Sequence, residues 1–136
     1  MQNTNSVVCI KYIKPVALVV LMFAVGACAP AKESLEVTAT AYNSLPSQTQ
    51  GDPEIGAWGD RLNPDVQTIA VSRDLLLLGL GHNAEVEIDG MAGRWLVRDK
   101  LNRRFSKRID IYMGKDLQGA KTFGKQTVTI RWRPKS

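Results

Sequence analysis

The sequence predicts a mainly β domain in which six short strands close into a barrel, accompanied by two short helices. The chain has 136 residues, 44% of them hydrophobic, which is ordinary for one globular domain and excludes a disordered or fibrous protein. Apolar and polar residues alternate over short segments separated by Gly, Asn, Asp and Pro, as in β-strands. No strand–helix–strand repeat is present, and closure into a barrel would protect every strand edge in so small a domain.

The strand pattern is clearest in the first and last segments, LEVTATAY and QTVTIRWR, where Val or Ile alternates with Thr. Asp89 and Gly90 form a hairpin-turn signal between the third and fourth strands. Ser72 is expected to cap the first helix, with Asp74 placed favourably for the helix dipole. The predicted strands are 35–42, 68–71, 84–88, 93–98, 108–113 and 126–133, and the predicted helices are 75–80 and 114–123.

Residues 43–66 contain Asn, Ser, Pro, Gln, Gly and Asp throughout and predict a loop. A loop of this length in a compact domain is usually functional or mobile. Trp58 lies in its glycine-rich part and is a candidate for the wall of a binding groove. Trp95 shares a strand face with Val97 and is expected in the core.

The first 27 residues are expected to be a secretion signal. An uncharged apolar run of 12 residues, 16–27, follows Lys11 and Lys14 and is shorter than the roughly 20 residues that span a bilayer. The sequence Val25-Gly-Ala-Cys28 resembles a bacterial lipobox, which implies cleavage before Cys28 and acylation of its thiol. Ala29 after it implies sorting to the outer membrane, facing the periplasm. An ordinary cleavable signal and a retained membrane helix remain alternatives. The predicted organisation is a signal at 1–27, a tether at 28–34 and a barrel domain at 35–136.

Several kinds of chemistry have no motif in this sequence. Phosphate-binding loops, dinucleotide fingerprints, nucleophile elbows and zinc-protease motifs are all missing. The single histidine, His82, is expected to be a loop residue, and after processing at Cys28 no free thiol would remain, because Cys9 leaves with the signal. We therefore expect no cofactor and no metal, and carboxylates are the remaining candidates for catalysis.

Charge is distributed unevenly. Residues 28–93 hold three basic and ten acidic residues, whereas residues 94–136 hold thirteen basic and three acidic ones, six of the basic ones within 98–108. For an exported protein this excludes nucleic acid as the expected partner and favours peptidoglycan or another anionic envelope polymer. A solvated basic loop that offsets the acidic half is the alternative.

Four segments together resemble the three-aspartate domain family, a double-psi β-barrel related to membrane-bound lytic transglycosylase A and rare lipoprotein A. Asp99 and Asp110 are 11 positions apart, as the second and third aspartates of that family are. Ser72 stands where the family has its first aspartate, and a basic loop replaces the tight Gly-Gly turn after the second. The matching segments are VTATAY at 37–42, IAV at 69–71, VRD at 97–99 and RIDIY at 108–112.

The resemblance implies a lytic transglycosylase that cleaves the MurNAc–GlcNAc bond and leaves a 1,6-anhydro product. Asp110 would be its acid and base, and Asp99 would raise the pKa of Asp110 by like charge. In the rare lipoprotein A branch the position of Asp99 is the better acid. Ser72 and Asp60 are possible partners of this pair. The expected glycan contacts are Trp58, Tyr112, Lys100, Arg103 and Arg104.

Other interpretations stay open. A barrel that binds peptidoglycan without cleaving it is favoured by Ser72 and the lost Gly-Gly turn. A cationic module for an anionic protein or lipopolysaccharide is a third hypothesis. Asp110 would then be held by Arg108 or by backbone N–H groups, and Asp99 would form a turn. The expected partners are peptidoglycan and, through the lipid anchor, a membrane; glycan specificity and oligomeric state do not follow from the sequence.

Overall fold

A computed structural model describes residues 29–44 and 51–135. In this part of the chain six strands form a closed barrel with two short helices, so the predicted fold class, a mainly β double-psi barrel, is confirmed. Around the barrel the strand order is β1-β5-β2-β4-β3-β6. The elements are β1 (Glu33–Tyr42), β2 (Thr68–Val71), α1 (Arg73–Leu76), β3 (Glu85–Ile88), β4 (Met91–Lys100), β5 (Arg108–Tyr112), α2 (Leu117–Phe123) and β6 (Gln126–Trp132).

Two parallel strand pairs distinguish this barrel from a simple meander. β1 pairs with β5 and β2 pairs with β4 in parallel, while β2 and β5 are antiparallel to each other. The remaining pairs, β1 with β6, β3 with β4 and β3 with β6, are antiparallel. The strands β1, β5, β2 and β4 therefore lie side by side, and the candidate carboxylates lie on two of them.

The core is formed by the side chains that face the barrel interior. Val86 and Ile88 alternate with outward glutamates on β3, and Ile109 and Ile111 alternate with Asp110 and its neighbours on β5. Trp95 is 8% exposed and belongs to the core, as predicted. Since alternate residues of a strand point to opposite faces, Asp110 must lie on the outer face.

The element boundaries differ from the prediction at α1, β1, β4 and α2. β4 extends two residues further at each end than predicted, and α2 begins at Leu117 rather than at residue 114. β1 begins at Glu33, because Glu33 pairs with Trp132 at the end of β6. α1 ends at Leu76 rather than at residue 80, since Gly79 has a φ of +87° and the N–H of Leu80 returns to the carbonyl of Leu75 at 3.2 Å. The predicted Asp89–Gly90 turn is present, with Gly90 at a φ of +81°.

The second half of the long loop folds into a compact unit held against β4. Ile55 and Arg61 form an antiparallel bridge, and the N–H of Leu62 donates to the carbonyl of Glu54 at 2.7 Å. Gly56 lies so close to β4 that a Cβ there would be 2.2 Å from the carbonyl oxygen of Arg98. We call residues 54–62 the covering loop.

No helix within residues 29–44 or 51–135 is long and apolar enough to cross a membrane. The signal segment and Cys28 lie outside the described residues, so the predicted division into signal, tether and barrel domain stays a prediction.

Candidate functional site

Four residues from neighbouring strands form one row on the outer face of the barrel. Thr40 of β1 pairs with Asp110 of β5, Asp110 pairs with Ala70 of β2, and Ala70 pairs with Asp99 of β4. Directly paired residues point to the same face of a sheet, so both carboxylates flank the small side chain of Ala70. With neighbouring strands about 4.8 Å apart, their Cα atoms are separated by roughly 10 Å.

A shift in strand register brings Asp99 into this row. Val97 pairs with Ile69, and the next pair joins Ala70 to Asp99, so Arg98 has no partner on β2. Strict alternation from Trp95 and Val97 would have directed Asp99 into the core. An inserted residue of this kind redirects the side chains that follow it.

Asp99 is held by hydrogen bonds on both carboxylate oxygens. Its Oδ1 accepts the backbone N–H groups of Ala57 at 3.0 Å and Lys100 at 2.8 Å, and its Oδ2 accepts the hydroxyl of Tyr42 at 3.3 Å. Burial raises the pKa of Asp99 above its usual value, although these hydrogen bonds oppose the change. Asp99 therefore lies within a strand and fastens the covering loop, rather than forming a turn.

Asp110 differs from Asp99 in its hydrogen bonding. Its side chain is also largely buried, at 15% exposed. Its Oδ1 is buried and accepts no hydrogen bond from the described residues; the Nε of Arg108 lies 3.4 Å away as an ion partner. Arg108 donates instead to the Oγ1 of Thr40, from Nε at 3.2 Å and from Nη2 at 2.8 Å. Asp110 is thus a largely buried carboxyl that is ion-paired with Arg108 and whose Oδ1 accepts no hydrogen bond from the described residues.

Burial is the main cause that raises the pKa of Asp110 above its usual value. The charge of Arg108 opposes this change, and the negative charge of Asp99 adds to it. The two carboxylates therefore influence each other electrostatically across Ala70, which makes Asp110 easier to protonate than an exposed aspartate.

Tyr42 and Tyr112 form the aromatic end of the site. Their ring centroids are 5.4 Å apart, and the pKa of Tyr42 is raised by burial and by the charge of Asp99. Tyr112, a predicted glycan contact, is only 6% exposed and donates its hydroxyl to the Oγ of Ser44 at 3.2 Å. Tyr42 is the more accessible ring, and the sequence analysis did not single it out.

Ser72 does not take the role of the missing aspartate in this row. It is fully buried, its Oγ accepts the N–H of Arg108 at 3.0 Å, and its own N–H donates to the carbonyl of Arg108 at 2.9 Å. Ser72 occupies the N-cap position of α1, as predicted, but its hydroxyl makes no capping hydrogen bond and extends the contact between β2 and β5 instead.

Asp74 joins the start of α1 to the end of the basic loop. Its Oδ2 accepts the hydroxyl of Ser106 at 3.0 Å and the N–H of Lys107 at 2.9 Å, beyond the helix-dipole role predicted for it. Burial opposes ionisation, but the hydrogen bonds from Lys107 and Ser106 lower the pKa of Asp74 below its usual value. This carboxylate therefore stabilises the loop as an anion.

Asp60, the other suggested partner, contacts His82 and is not part of the carboxylate row. Its Oδ2 lies 2.5 Å from the Nε2 of His82, which connects the covering loop to the turn before β3. The ring of His82 stacks on Trp58 with centroids 5.1 Å apart, and the Nζ of Lys100 lies 4.4 Å from the Trp58 centroid. Two predicted glycan contacts, Trp58 and Lys100, are thus adjacent.

The basic loop between β4 and β5 presents its cations to solvent. Arg103 and Arg104 are exposed, and the guanidinium groups of Arg104 and Arg108 lie 4.7 and 4.2 Å from the ring centroid of Phe105. The structure therefore separates the predicted basic contacts: Lys100 lies at the covering loop, while Arg104 packs on Phe105, whose ring also contacts Arg108. Arg103 is exposed in the same loop.

A cavity of about 660 Å³ is lined in part by the covering loop, through Glu54, Arg61 and Leu62. Neither Asp99 nor Asp110 lines it; its wall includes Leu62, Arg98 and Tyr112. Among residues 29–44 and 51–135 no three His, Cys, Asp or Glu side chains are grouped closely enough to hold a metal ion.

Sequence reasoning missed Thr40, Tyr42 and Ala57. Thr40 and Tyr42 alternate with the core residue Ala39 on β1, so the period of the strand could have placed both on the outer face. The backbone N–H of Ala57 has no signal in the sequence, because it depends on how the covering loop folds back.

The similar proteins share the architecture of this chain and little of its sequence. No protein-family model matches the sequence, so the three-aspartate family itself is not shown, and a search of curated proteins found no relative. The Streptomyces papain inhibitor is 18% identical and covers 74% of this chain and 94% of its own, with a TM-score of 0.51. Both this inhibitor and the expansin described next have folds of the double-psi barrel type.

An expansin from Clavibacter michiganensis is 16% identical and covers 76% of this chain and 52% of its own, with a TM-score of 0.51. An Asp-to-Asn variant of that expansin, in complex with cellohexaose, is 16% identical over the same shares, with a TM-score of 0.50. This chain therefore spans about half the length of the expansin. Identities this low show the fold alone.

Proposed function

We propose that this protein binds the glycan strands of peptidoglycan along the row formed by Thr40, Asp110, Ala70 and Asp99. The observation that carries the proposal is the pair of half-buried carboxylates on one outer face, with Tyr42 at one end and the covering loop beside Asp99. Carboxylate oxygens accept hydrogen bonds from sugar hydroxyls, and the 15% of the Asp110 side chain that stays exposed is where such a donor would approach. The expansin in complex with cellohexaose supports a polysaccharide ligand for a protein that contains this fold.

The basic residues next to the row supply a second part of the interaction. Peptidoglycan carries free carboxylates on its peptides. Arg103 and Arg104 are exposed cations of the basic loop, and Arg104 packs on Phe105 next to Arg108. Trp58 and Lys100 lie on the covering loop side. A glycan in the row would therefore have aromatic surface and cations on both sides.

The test of binding is sedimentation of the full chain with purified sacculi. Replacing Asp110 by Asn keeps the shape of the side chain and removes its charge, and we expect weaker binding, by about tenfold, as for one hydrogen bond to a charged group. Glu36→Gln is the matched control, because Glu36 is an exposed carboxylate on the same barrel. Equal binding by wild type and Asp110→Asn would contradict the proposed row.

The contribution of the basic loop is tested separately. A double variant, Arg103→Gln with Arg104→Gln, should bind sacculi less tightly at low salt and lose most of its difference from wild type at high salt, where charges are screened. The exposed pair Lys121 and Lys125 on and after α2, replaced by Gln in the same way, is the control. An equal loss in both double variants would show that net charge alone holds the sacculi.

A second function, cleavage of the bound glycan, is favoured by the raised pKa of Asp110. A carboxyl with a raised pKa can protonate the leaving oxygen of the MurNAc–GlcNAc bond and then take the proton of the C6 hydroxyl, which closes the 1,6-anhydro ring. One group performs both steps, and Asp99 assists by its charge. This mechanism needs no metal or cofactor.

Cleavage is tested by mass spectrometry of digested sacculi. Wild type should release 1,6-anhydro muropeptides, and Asp110→Asn should reduce the rate by about 10²- to 10⁴-fold, which is typical for a general acid. Sacculi that are bound without any anhydro product would assign the chain to binding alone. Full activity of Asp110→Asn with loss in Asp99→Asn would make Asp99 the acid.

We further propose that the protein is lipid-anchored at Cys28 and faces the periplasm from the outer membrane. The support is the resemblance of 25–28 to a lipobox, and β1 begins only five positions later, at Glu33. Cys28→Ala should abolish acyl labelling and sorting to the outer-membrane fraction, while Cys9→Ala, within the proposed signal, should change neither. Acyl labelling that persists in Cys28→Ala would contradict this anchor.

A further inference from the structure

The end of the barrel where β1 begins carries an exposed apolar surface. Leu77 is 88% exposed and Leu78 is 47% exposed, although Leu75, two residues before Leu77, is fully buried. The two side chains border an open groove of about 600 Å³, whose wall also includes Leu35 and Pro134. We call these four residues, Leu35, Leu77, Leu78 and Pro134, the leucine surface. Adjacent exposed apolar side chains of this size mark interaction sites more often than isolated ones do.

The backbone holds this surface in place. The N–H of Leu78 donates to the carbonyl of Leu75 at 3.1 Å, and its own carbonyl accepts the indole N–H of Trp132 at 3.0 Å. Gly79 has a φ of +87°, and a Cβ there would lie 3.0 Å from the Cβ of Pro134. Leu77 and Leu78 therefore project outward from a hydrogen-bonded turn packed against the C-terminal segment.

The position of this surface relative to Cys28 limits what can cover it. Glu33, the first residue of β1, lines the same groove and lies five positions after Cys28. Five residues span at most about 18 Å, so acyl chains on Cys28 would keep the leucine surface close to the bilayer. A lipid surface is therefore the apolar environment nearest to these leucines.

Charges around the groove suit an anionic lipid surface. Lys135 lines the groove and its Nζ donates to the carbonyl of Asn83 at 3.1 Å, and Arg133, two residues earlier, is exposed in the adjoining pocket. Neither forms an ion pair with another described residue. Glu33 is the acidic residue of the groove wall. Apolar side chains flanked by cations are the usual composition of surfaces that lie in the headgroup region of a membrane.

We propose that Leu77 and Leu78 insert into the interfacial layer of the bilayer that holds the Cys28 lipid, with Arg133 and Lys135 on its anionic headgroups. The inference rests on the lipid anchoring proposed above. Thr40 lies seven residues beyond Glu33 along β1, about 23 Å at the usual rise of a strand. Docking by the leucine surface therefore directs the carboxylate row away from the membrane and towards the glycan.

The test places a fluorophore on the docked surface of the full, acylated chain. Leu77→Cys is labelled with an environment-sensitive dye and reconstituted into vesicles of phosphatidylethanolamine and phosphatidylglycerol that contain brominated lipid. We expect a blue-shifted emission that brominated lipid quenches. Leu117→Cys is the matched control: Leu117 is also an exposed leucine, 37%, but lies beside Tyr42 at the other end of β1, and its dye should emit as in water.

The outcomes separate the docking from the anchor. Protein that fails to float with vesicles contradicts the lipid anchor, and therefore also the docking that depends on it. Protein that floats while the dye at 77 and the dye at 117 behave alike contradicts the docking only. Cross-linking between two copies through Leu77→Cys, in place of quenching, would assign the leucine surface to a dimer and overturn the proposal. Loss of quenching in Arg133→Gln with Lys135→Gln, while flotation is retained, would support the role of the cations.

Discussion

Asp99 and Asp110 occupy the same row and flank the same alanine, Ala70, yet they differ in the hydrogen bonds that their carboxylates accept. Asp99 accepts three hydrogen bonds, two of them from backbone N–H groups, whereas the Oδ1 of Asp110 accepts none from the described residues. Burial raises the pKa of both. The comparison indicates that Asp99 holds the covering loop, while Asp110 holds no loop and is paired only with Arg108.

The covering loop is what completes the environment of Asp99, so the largest effect is expected from displacing it. In Gly56→Ala the new Cβ would lie 2.2 Å from the carbonyl oxygen of Arg98, which is backbone and cannot move aside. We expect a loss of about 1–3 kcal/mol in the free energy of unfolding, measured by urea denaturation. Gly81→Ala is the control, since a Cβ at Gly81 meets no atom within 4 Å. Equal stability of the two variants would show that the loop is not packed on β4.

Replacing Asp99 and Asp110 in turn tests directly whether the two carboxylates contribute differently to stability. Asp99→Ala leaves the N–H of Ala57 and the hydroxyl of Tyr42 without an acceptor and should cost about 1–3 kcal/mol in the free energy of unfolding. Asp110→Asn should change it by less than about 1 kcal/mol, because no hydrogen bond is lost at Oδ1. A greater loss in Asp110→Asn than in Asp99→Ala would reverse the roles given to the two residues.

The pH dependence of stability separates Asp110 from Asp74. The folded-state pKa of Asp110 is raised above 3.8, so the folded chain binds its proton more tightly and stability falls as the pH rises from 3.8 through the raised pKa. In Asp110→Asn that decrease should be smaller than in wild type, because the side chain no longer titrates.

Asp74 gives the opposite sign. Its folded-state pKa lies below 3.8, so it contributes stability above 3.8 that is lost as the pH falls through the lowered pKa. Asp74→Asn should be less stable than wild type at neutral pH and should approach it in acid. Urea denaturation of both variants across this range measures the two slopes, and slopes of the same sign would contradict the assigned environments.

The smallest effect is expected at the contact between Asp60 of the covering loop and His82. His82→Gln removes the hydrogen-bonded contact between His82 and Asp60. These side chains are 37% and 24% exposed, so the change in the free energy of unfolding should be below about 1 kcal/mol. Hydrogen exchange in residues 54–62 should nevertheless become faster, since the loop loses one of its attachments. Unchanged exchange would show that Asp99 alone holds the loop.

The strand pattern was predictable because each strand has one buried face. Val86, Ile88, Ile109 and Ile111 alternate with polar residues, and the structure places all four in the core. Alternation mispredicts the direction of side chains on β4 after Val97, where the strand register shifts. Nothing in the residues after Val97 indicates that Arg98 is left without a partner on β2. That shift depends on how β2 and β4 meet, which is a property of two distant segments.

The sequence by itself determined the barrel, the outward position of Asp110 between Ile109 and Ile111, the hairpin at Asp89–Gly90 and the basic composition of the loop after Asp99. Local periodicity and turn chemistry specify these features, because they involve residues that are close in the chain. Only the tertiary structure decided that Asp99 joins Asp110 across Ala70, that Ser72 binds the backbone of Arg108, and that Leu77 and Leu78 face outward. These arrangements depend on contacts between segments separated by tens of residues, where strand register and loop packing, rather than composition, choose the partners of each polar group.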